Sequence, residues 1–263
     1  MEYRRGWFFV VGVMLLPGAF PALGQTATAS SPPVAVATAP AAPAAAKAPA
    51  PWPLPPNDFF LGKIPPPPAK DSAEDQADVA YSVQVQATAP PAQIKQAVDI
   101  AVNLSVFSFS EVLGANFTKA NYPLTAAFFK RLDATANIPK NFIKDHYARV
   151  RPYLAHPDQV KQLVPVDSGY SYPSGHVTRA ELTALALGYL DPEKKDALLG
   201  FVDQVAADRI IGGMHYRSDT AESKVLGQLV FAELMKEPEF VAALDALKAK
   251  EWAQMPTEAP AGH

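Results

Sequence analysis

Cysteine is absent from the 263 residues. That excludes a disulfide framework, a thiolate metal site and a lipidated cysteine anchor. A strong charge of one sign is also lacking: the formal net charge is -3 and no basic tract runs along the chain. No nucleic-acid partner is therefore expected. Apolar runs of membrane-spanning length are missing too. Trp7 to Leu16 is apolar, but a span takes ~20 residues, and no later segment reaches that length without charges. No stable membrane insertion of the mature body is expected. Sustained period-two alternation does not occur either, which argues against strands. No histidine pair has zinc spacing such as H-E-x-x-H, so neither a metal nor another cofactor is indicated.

What is present begins with an export signal. Arg4 and Arg5 precede the apolar run, Pro17 breaks it, and Ala22 and Gly24 stand as in an A-x-A-like cleavage site. Residues 1–24 read as a signal peptide, which places the mature chain in the periplasm or outside the cell. Residues 25–57 are nearly all Ala, Pro, Thr, Ser and Val, and are expected to form a disordered linker. The folded domain is expected over 58–256, with a stiff Pro65–Pro68 stretch in its N-terminal arm and a disordered tail at 257–263.

Hydrophobic residues make up 49% of the chain, enough for one sizeable core. Helical patterns cover Pro91–Val102, Leu124–Leu132, a segment starting at Pro139 and running to Val150, Ser174–Leu190, Pro192–Ile211, Ser218–Met235 and Pro238–Met255. The expected fold is all-α, a single-domain antiparallel helical bundle of six to eight helices. An apolar helix face can serve a core or an interface, so a homo-oligomer stays open.

Three clusters carry chemistry. In Lys144-Asp-His-Tyr-Ala-Arg-Val-Arg151-Pro152 the two outer cations are seven apart. On a helix they would share one face and could hold an anion between them. In Tyr172-Pro173-Ser174-Gly175-His176 a helix starts, and its first-turn N–H groups favour an anion beside His176. In Asp208-Arg209-Ile-Ile-Gly-Gly-Met-His215-Tyr-Arg-Ser-Asp219 the last two named residues are four apart. A carboxylate can then take the proton on one ring nitrogen and leave the other nucleophilic. Alone, each cluster also fits a plain reading: a solvated face, an ordinary helix cap, a structural hydrogen bond. Their joint occurrence on one helical scaffold is what points to a site.

The order K-x6-R-P, P-S-G-H, then R-x5-H-x3-D resembles the signature of the type 2 phosphatidic acid phosphatase superfamily. Lys144–Pro152 and Gly169–His176 look most similar to the bacterial class A non-specific acid phosphatases. The resemblance implies an acid phosphatase that acts on small-molecule phosphomonoesters through a phosphohistidine, without a metal. His215 would be the nucleophile, Asp219 its orienting carboxylate and His176 the acid, then the base. Lys144, Arg151, Ser174, Gly175 and Arg209 would bind phosphate. A vanadium-dependent haloperoxidase and a non-catalytic phosphate-binding envelope protein are the alternatives. One departure stands out: the family pattern has serine where this chain has Asp208.

Overall fold

The computed structural model describes residues 50–166 and 168–254. The signal segment, most of the linker and the tail lie outside the described residues. Among the described residues the regular structure is all helical, without strands, as expected. The helices are α1 (Asn57–Leu61), α2 (Ala73–Thr88), α3 (Pro91–Asn103), α4 (Ser110–Leu113), α5 (Pro123–Tyr147), α6 (Pro152–Ala155), α7 (Gly175–Leu190), α8 (Lys195–Ile211), α9 (Arg217–Leu234) and α10 (Pro238–Lys250).

Helix α7 is the axis of the body. It packs against α8, α9, α5 and α10. Its sequence explains this: Val177, Ala180, Leu182, Ala184, Ala186, Leu187 and Leu190 are all buried, so it is apolar around most of its circumference rather than along one stripe. Small alanines let neighbouring helices come close. Burial of each large apolar side chain contributes about 1.5–3 kcal/mol. A second, smaller cluster of Ala97, Val164, Ile211 and Met214 lies apart from the main core. It anchors Met214, and so the backbone next to His215.

Helix α2 was not legible as a helix in the sequence. Ser72 caps it by accepting from the Asp75 N–H at 3.2 Å. Its buried face is partly acidic, with Asp75 and Asp78 turned inward alongside Val79 and Ser82. An apolar periodicity search passes over such a face. Gln86 on the same helix donates to the carbonyls of Lys161 at 2.7 Å and Ile211 at 2.8 Å, tying α2 to the end of α8.

Three expectations are corrected. Pro139 does not start a helix. It lies inside α5, where it is buried with Phe128, Phe129, Leu132, Ala136 and Ile143. The lost N–H is outweighed by the long apolar face the helix buries. The start of α5 is also secured from far along the chain, since the Glu251 carboxylate accepts from the N–H groups of Leu124 at 2.9 Å and Thr125 at 2.8 Å.

The basic stretch is not helical to Val150 either. Helix α5 ends at Tyr147, and Ala148 turns left-handed at φ 47°. Arg151 thus stands outside the helix that carries Lys144.

The linker boundary also moves. Trp52 is buried between Phe128 and Phe240. Its backbone N–H donates to Thr135 Oγ1 at 2.9 Å, and the Arg131 guanidinium lies 3.3 Å from its ring centre. An indole with such partners packs as core, so the folded body already includes Trp52.

Candidate active site

The turn after α8 delivers His215. Gly213 has φ +74°, and a Cβ there would lie 2.3 Å from the Lys161 carbonyl oxygen. Only glycine fits both the conformation and the contact. The carbonyls of Gly212 and Gly213 accept from Leu163 at 3.2 Å and Tyr153 at 3.3 Å, which fixes the turn.

His215 is 1% exposed, and its two ring nitrogens have chemically opposite partners. Nδ1 lies 2.7 Å from the Ser171 carbonyl, which can only accept. Nε2 lies 3.2 Å from Arg151 Nη1, which can only donate. Both partners demand the same tautomer: hydrogen on Nδ1, a lone pair on Nε2. The imidazole is held well below its ordinary pKa, first by burial and then by Arg151, Lys144 and Arg209. These influences favour the neutral ring.

The sequence reading of Asp219 needs correction. Its Oδ2 is 3.7 Å from His215 Nδ1, beyond hydrogen-bond reach. The Ser171 carbonyl takes that place. Asp219 instead organises what surrounds the histidine. Oδ2 accepts from the Ser171 hydroxyl and from the Tyr216 N–H at 2.9 Å. Oδ1 pairs with Arg149 at 2.6 Å. The carboxylate is placed one bond further out, fixing both the residue that holds the ring and the residue that follows it.

Arg149 lies within the first motif, between Lys144 and Arg151. It is the hub of a buried cluster. Beyond Asp219 it pairs with Asp75 at 2.8 Å and Asp78 at 3.1 Å, and it lies 3.9 Å from the centre of the Tyr216 ring. Asp78 in turn accepts from the N–H and hydroxyl of Ser218. One guanidinium thus joins α2, the segment after α5 and the start of α9. Arg149 and Arg151, two residues apart, serve opposite parts of the same centre: the first holds the carboxylate, the second the nucleophilic nitrogen.

Helix α7 begins as expected, with Ser174 as N-cap accepting from the Val177 N–H at 3.4 Å. The Ser174 N–H, however, is already used: it donates to Ser223 Oγ at 2.7 Å, and Ser223 donates to the Asp219 carbonyl. An anion would therefore meet the N–H of Gly175 rather than that of Ser174. The space left by the missing Gly175 side chain is filled by the stem of Lys140, whose Cδ would be 3.1 Å from a Cβ. Lys140 is a further cation at this helix start, one turn before Lys144 on α5.

His176 is half-buried, with Nε2 3.3 Å from the Ala101 carbonyl at the end of α3. Burial pushes its pKa down to about 2, helped by Arg209, Arg179 and His215. Arg209 acts on both histidines and is itself fully buried. Lys144 donates to the Tyr170 carbonyl, and Arg151 Nε to that of Gly169 at 3.0 Å. The expected site residues from three distant segments thus gather at one end of the bundle. Two are used differently from expectation: the Asp219 carboxylate and the Ser174 N–H.

A helical bundle with two histidines among converging cations defines a class of site suited to an anionic ester. Residues 132–239 match the PAP2 superfamily. The matched stretch contains all eight expected site residues.

The chain is 26% identical over 195 residues to a non-specific acid phosphatase of Providencia stuartii, covering 72% of this chain and 79% of the relative. It is 29% identical over 196 residues to the non-specific acid phosphatase of Salmonella typhimurium, covering 69% and 75%. The one from Salmonella typhi is 29% identical over 195 residues. A transmembrane PAP2-type phosphatidylglycerolphosphate phosphatase of Bacillus subtilis superposes with a TM-score of 0.48 at 21% identity, over 70% of this chain and 92% of that one. Among the described residues here, no helix is long and apolar enough to cross a membrane.

Proposed function

We propose that this chain is an exported acid phosphatase that hydrolyses phosphomonoesters through a phosphohistidine on His215, without a metal. The observation that carries this reading is the forced tautomer of His215, with a lone pair on Nε2 beside the Arg151 guanidinium. The names of the bacterial relatives support the reaction class.

The phosphoryl group sits among Lys144, Arg151 and Arg209, with the N–H of Gly175 at the start of α7. Fixed cations and N–H donors stabilise its equatorial oxygens as charge spreads over them. His215 Nε2 forms the N–P bond while the ester O–P bond breaks. His176 gives its proton to the departing alkoxide. Water then attacks phosphorus and loses a proton to His176, and the N–P bond breaks to release phosphate. Asp219 acts through Ser171 and Tyr216, keeping the ring aimed.

The depressed pKa of His176 adds a condition. In the empty site the histidine is neutral, because it is buried and faces cations. A bound phosphate offsets those cations and lets a proton enter with it. Low pH supplies that proton, while His215 stays neutral and nucleophilic. An acid optimum follows from the pair.

The decisive assay is hydrolysis of p-nitrophenyl phosphate in EDTA, followed by an alkaline quench and intact-mass analysis for a bound phosphoryl group. Turnover and a trapped adduct are expected in the wild type, with neither in His215→Ala. Retention of most activity by His215→Ala would falsify the assignment. Halide oxidation with added vanadate is the outcome that favours a haloperoxidase, and lack of any turnover favours a binding protein.

A further inference from the structure

The proposed reaction leaves two cations beside His176 unused, Lys140 of α5 and Arg179 of α7. Helices α5 and α7 pack together, and the spacing of their residues builds a polar seam between them. Gly175 and Arg179 are four apart on α7, and Asp133 and Lys140 are seven apart on α5, so each pair shares one face of its helix. Lys140 meets Gly175: a Cβ on that glycine would lie 3.5 Å from the Lys140 Nζ, which also donates to Asn137 Oδ1 at 2.8 Å. Further along the seam, Asp133 and Arg179 line a small cavity together with Ser105 and Thr183. Its wall at Leu104 and Ser105 lies just past Ala101, whose carbonyl is 3.3 Å from His176 Nε2.

Arg179 stands one turn beyond His176 and is among the charges that hold the imidazole pKa down. A structural ion pair does not account for it. Asp133 and Arg179 feel each other's charge without forming an ion pair, and at Asp133 burial outweighs the guanidinium, so its carboxyl lies above its ordinary range. Both side chains are half-buried, which leaves the pair open to a solute.

We propose that this seam is a specificity site for the leaving group: Arg179, assisted by Lys140, holds a second negative charge carried by the departing alcohol, as a carboxylate or a further phosphate. This rests on the reading of His176 as the acid that protonates the ester oxygen, and it names the substrate class of that same site. The alcohol extends from the oxygen that His176 protonates, and the seam leads away from His176. Lys144, Arg151 and Arg209 already face the transferred phosphoryl group. The seam adds two positive charges against the single carboxylate of Asp133, so it favours an anion over a neutral or cationic group.

The test compares two esters of like size, 3-phosphoglycerate and glycerol 3-phosphate, whose leaving groups differ in a carboxylate against a hydroxymethyl group. The ratio of their kcat/KM values is taken on the full chain, in mildly acidic buffer of low salt. Taking the ratio within each protein cancels any loss of folded enzyme. The wild type should favour 3-phosphoglycerate by about tenfold or more, the scale of one charge-assisted hydrogen bond. Arg179→Gln should bring the ratio near one, Lys140→Gln should lower it less, and Asp133→Asn should raise it.

A wild-type ratio near or below one overturns the proposal and needs no variant. So does a preference that survives Arg179→Gln, since it then arises from the cations that hold the phosphoryl group. If neither ester is hydrolysed, the phosphatase reading falls, and the ratio of calorimetric affinities for the same two esters decides the seam's role on the same terms.

Discussion

Replacing Arg149 by Met keeps the length of the side chain and removes one buried positive charge. Three carboxylates lose their shared partner: Asp75 at 2.8 Å, Asp78 at 3.1 Å and Asp219 at 2.6 Å. All of these side chains are a tenth exposed or less, so water cannot take over the role. Breaking a buried ion pair by removing one partner costs about 3–5 kcal/mol. Each kcal/mol lowers Tm by roughly 2–4 °C in a domain of this size, so a fall on the order of 10 °C is expected.

Thermal unfolding followed by circular dichroism measures this. Adding Asp75→Asn and Asp78→Asn to Arg149→Met should recover part of the loss, because the stranded charges are then gone. Arg149→Lys should keep more stability yet lower kcat with little change in KM. A lysine cannot reproduce the forked geometry that holds Asp219, and through it Ser171 and His215. A loss below about 1 kcal/mol for Arg149→Met, the scale of an exposed pair, would refute the reasoning.

Other outcomes follow from the same geometry. Gly213→Ala places a Cβ 2.3 Å from the Lys161 carbonyl at positive φ; kcat should collapse as His215 moves, and full activity would show that the turn is not needed. His176→Ala should slow substrates with poor leaving groups far more than p-nitrophenyl phosphate, and a uniform loss argues against its acid role. NMR titration of His176 should show its pKa rising from about 2 when sulfate binds; an unchanged value removes the proton-entry step.

Asp208 also links pH to stability. Its folded pKa is raised to about 7 from 3.8, so the folded state holds the proton more tightly and stability falls as pH rises from about 4 to 7. That difference corresponds to on the order of 4 kcal/mol. Asp208→Asn should therefore be more stable than the wild type at pH 8, and equal stabilities at pH 8 contradict a buried, partnerless carboxyl.

Much of the fold was readable because apolar periodicity reports burial directly. Helix α7 was bounded correctly by Ser174 and Leu190, since a capping hydroxyl and a wide apolar face are both local features. Helix α2 was missed because its inward face carries Asp75 and Asp78, whose burial makes sense only beside Arg149, some 70 residues later. Pro139 was misread for a similar reason. A proline is a local signal for a helix start, while the packing that carries α5 through it is not local. The true cap of α5 is Glu251, at the far end of the described chain.

The site divides along the same line. The sequence by itself determined which chemical groups are available, and the spacing of its three motifs selected His176, His215, Asp219 and the cations. Those are properties of residue type and short-range order. Only the tertiary structure decided how the groups are used: the Ser171 carbonyl, not Asp219, takes the His215 proton, and Arg151 reaches the nucleophilic nitrogen from outside the helix that bears Lys144. It also left Asp208 buried without a partner. The physical reason is that a hydrogen bond is settled within tenths of an ångström, whereas a motif fixes only the order of residues along the chain.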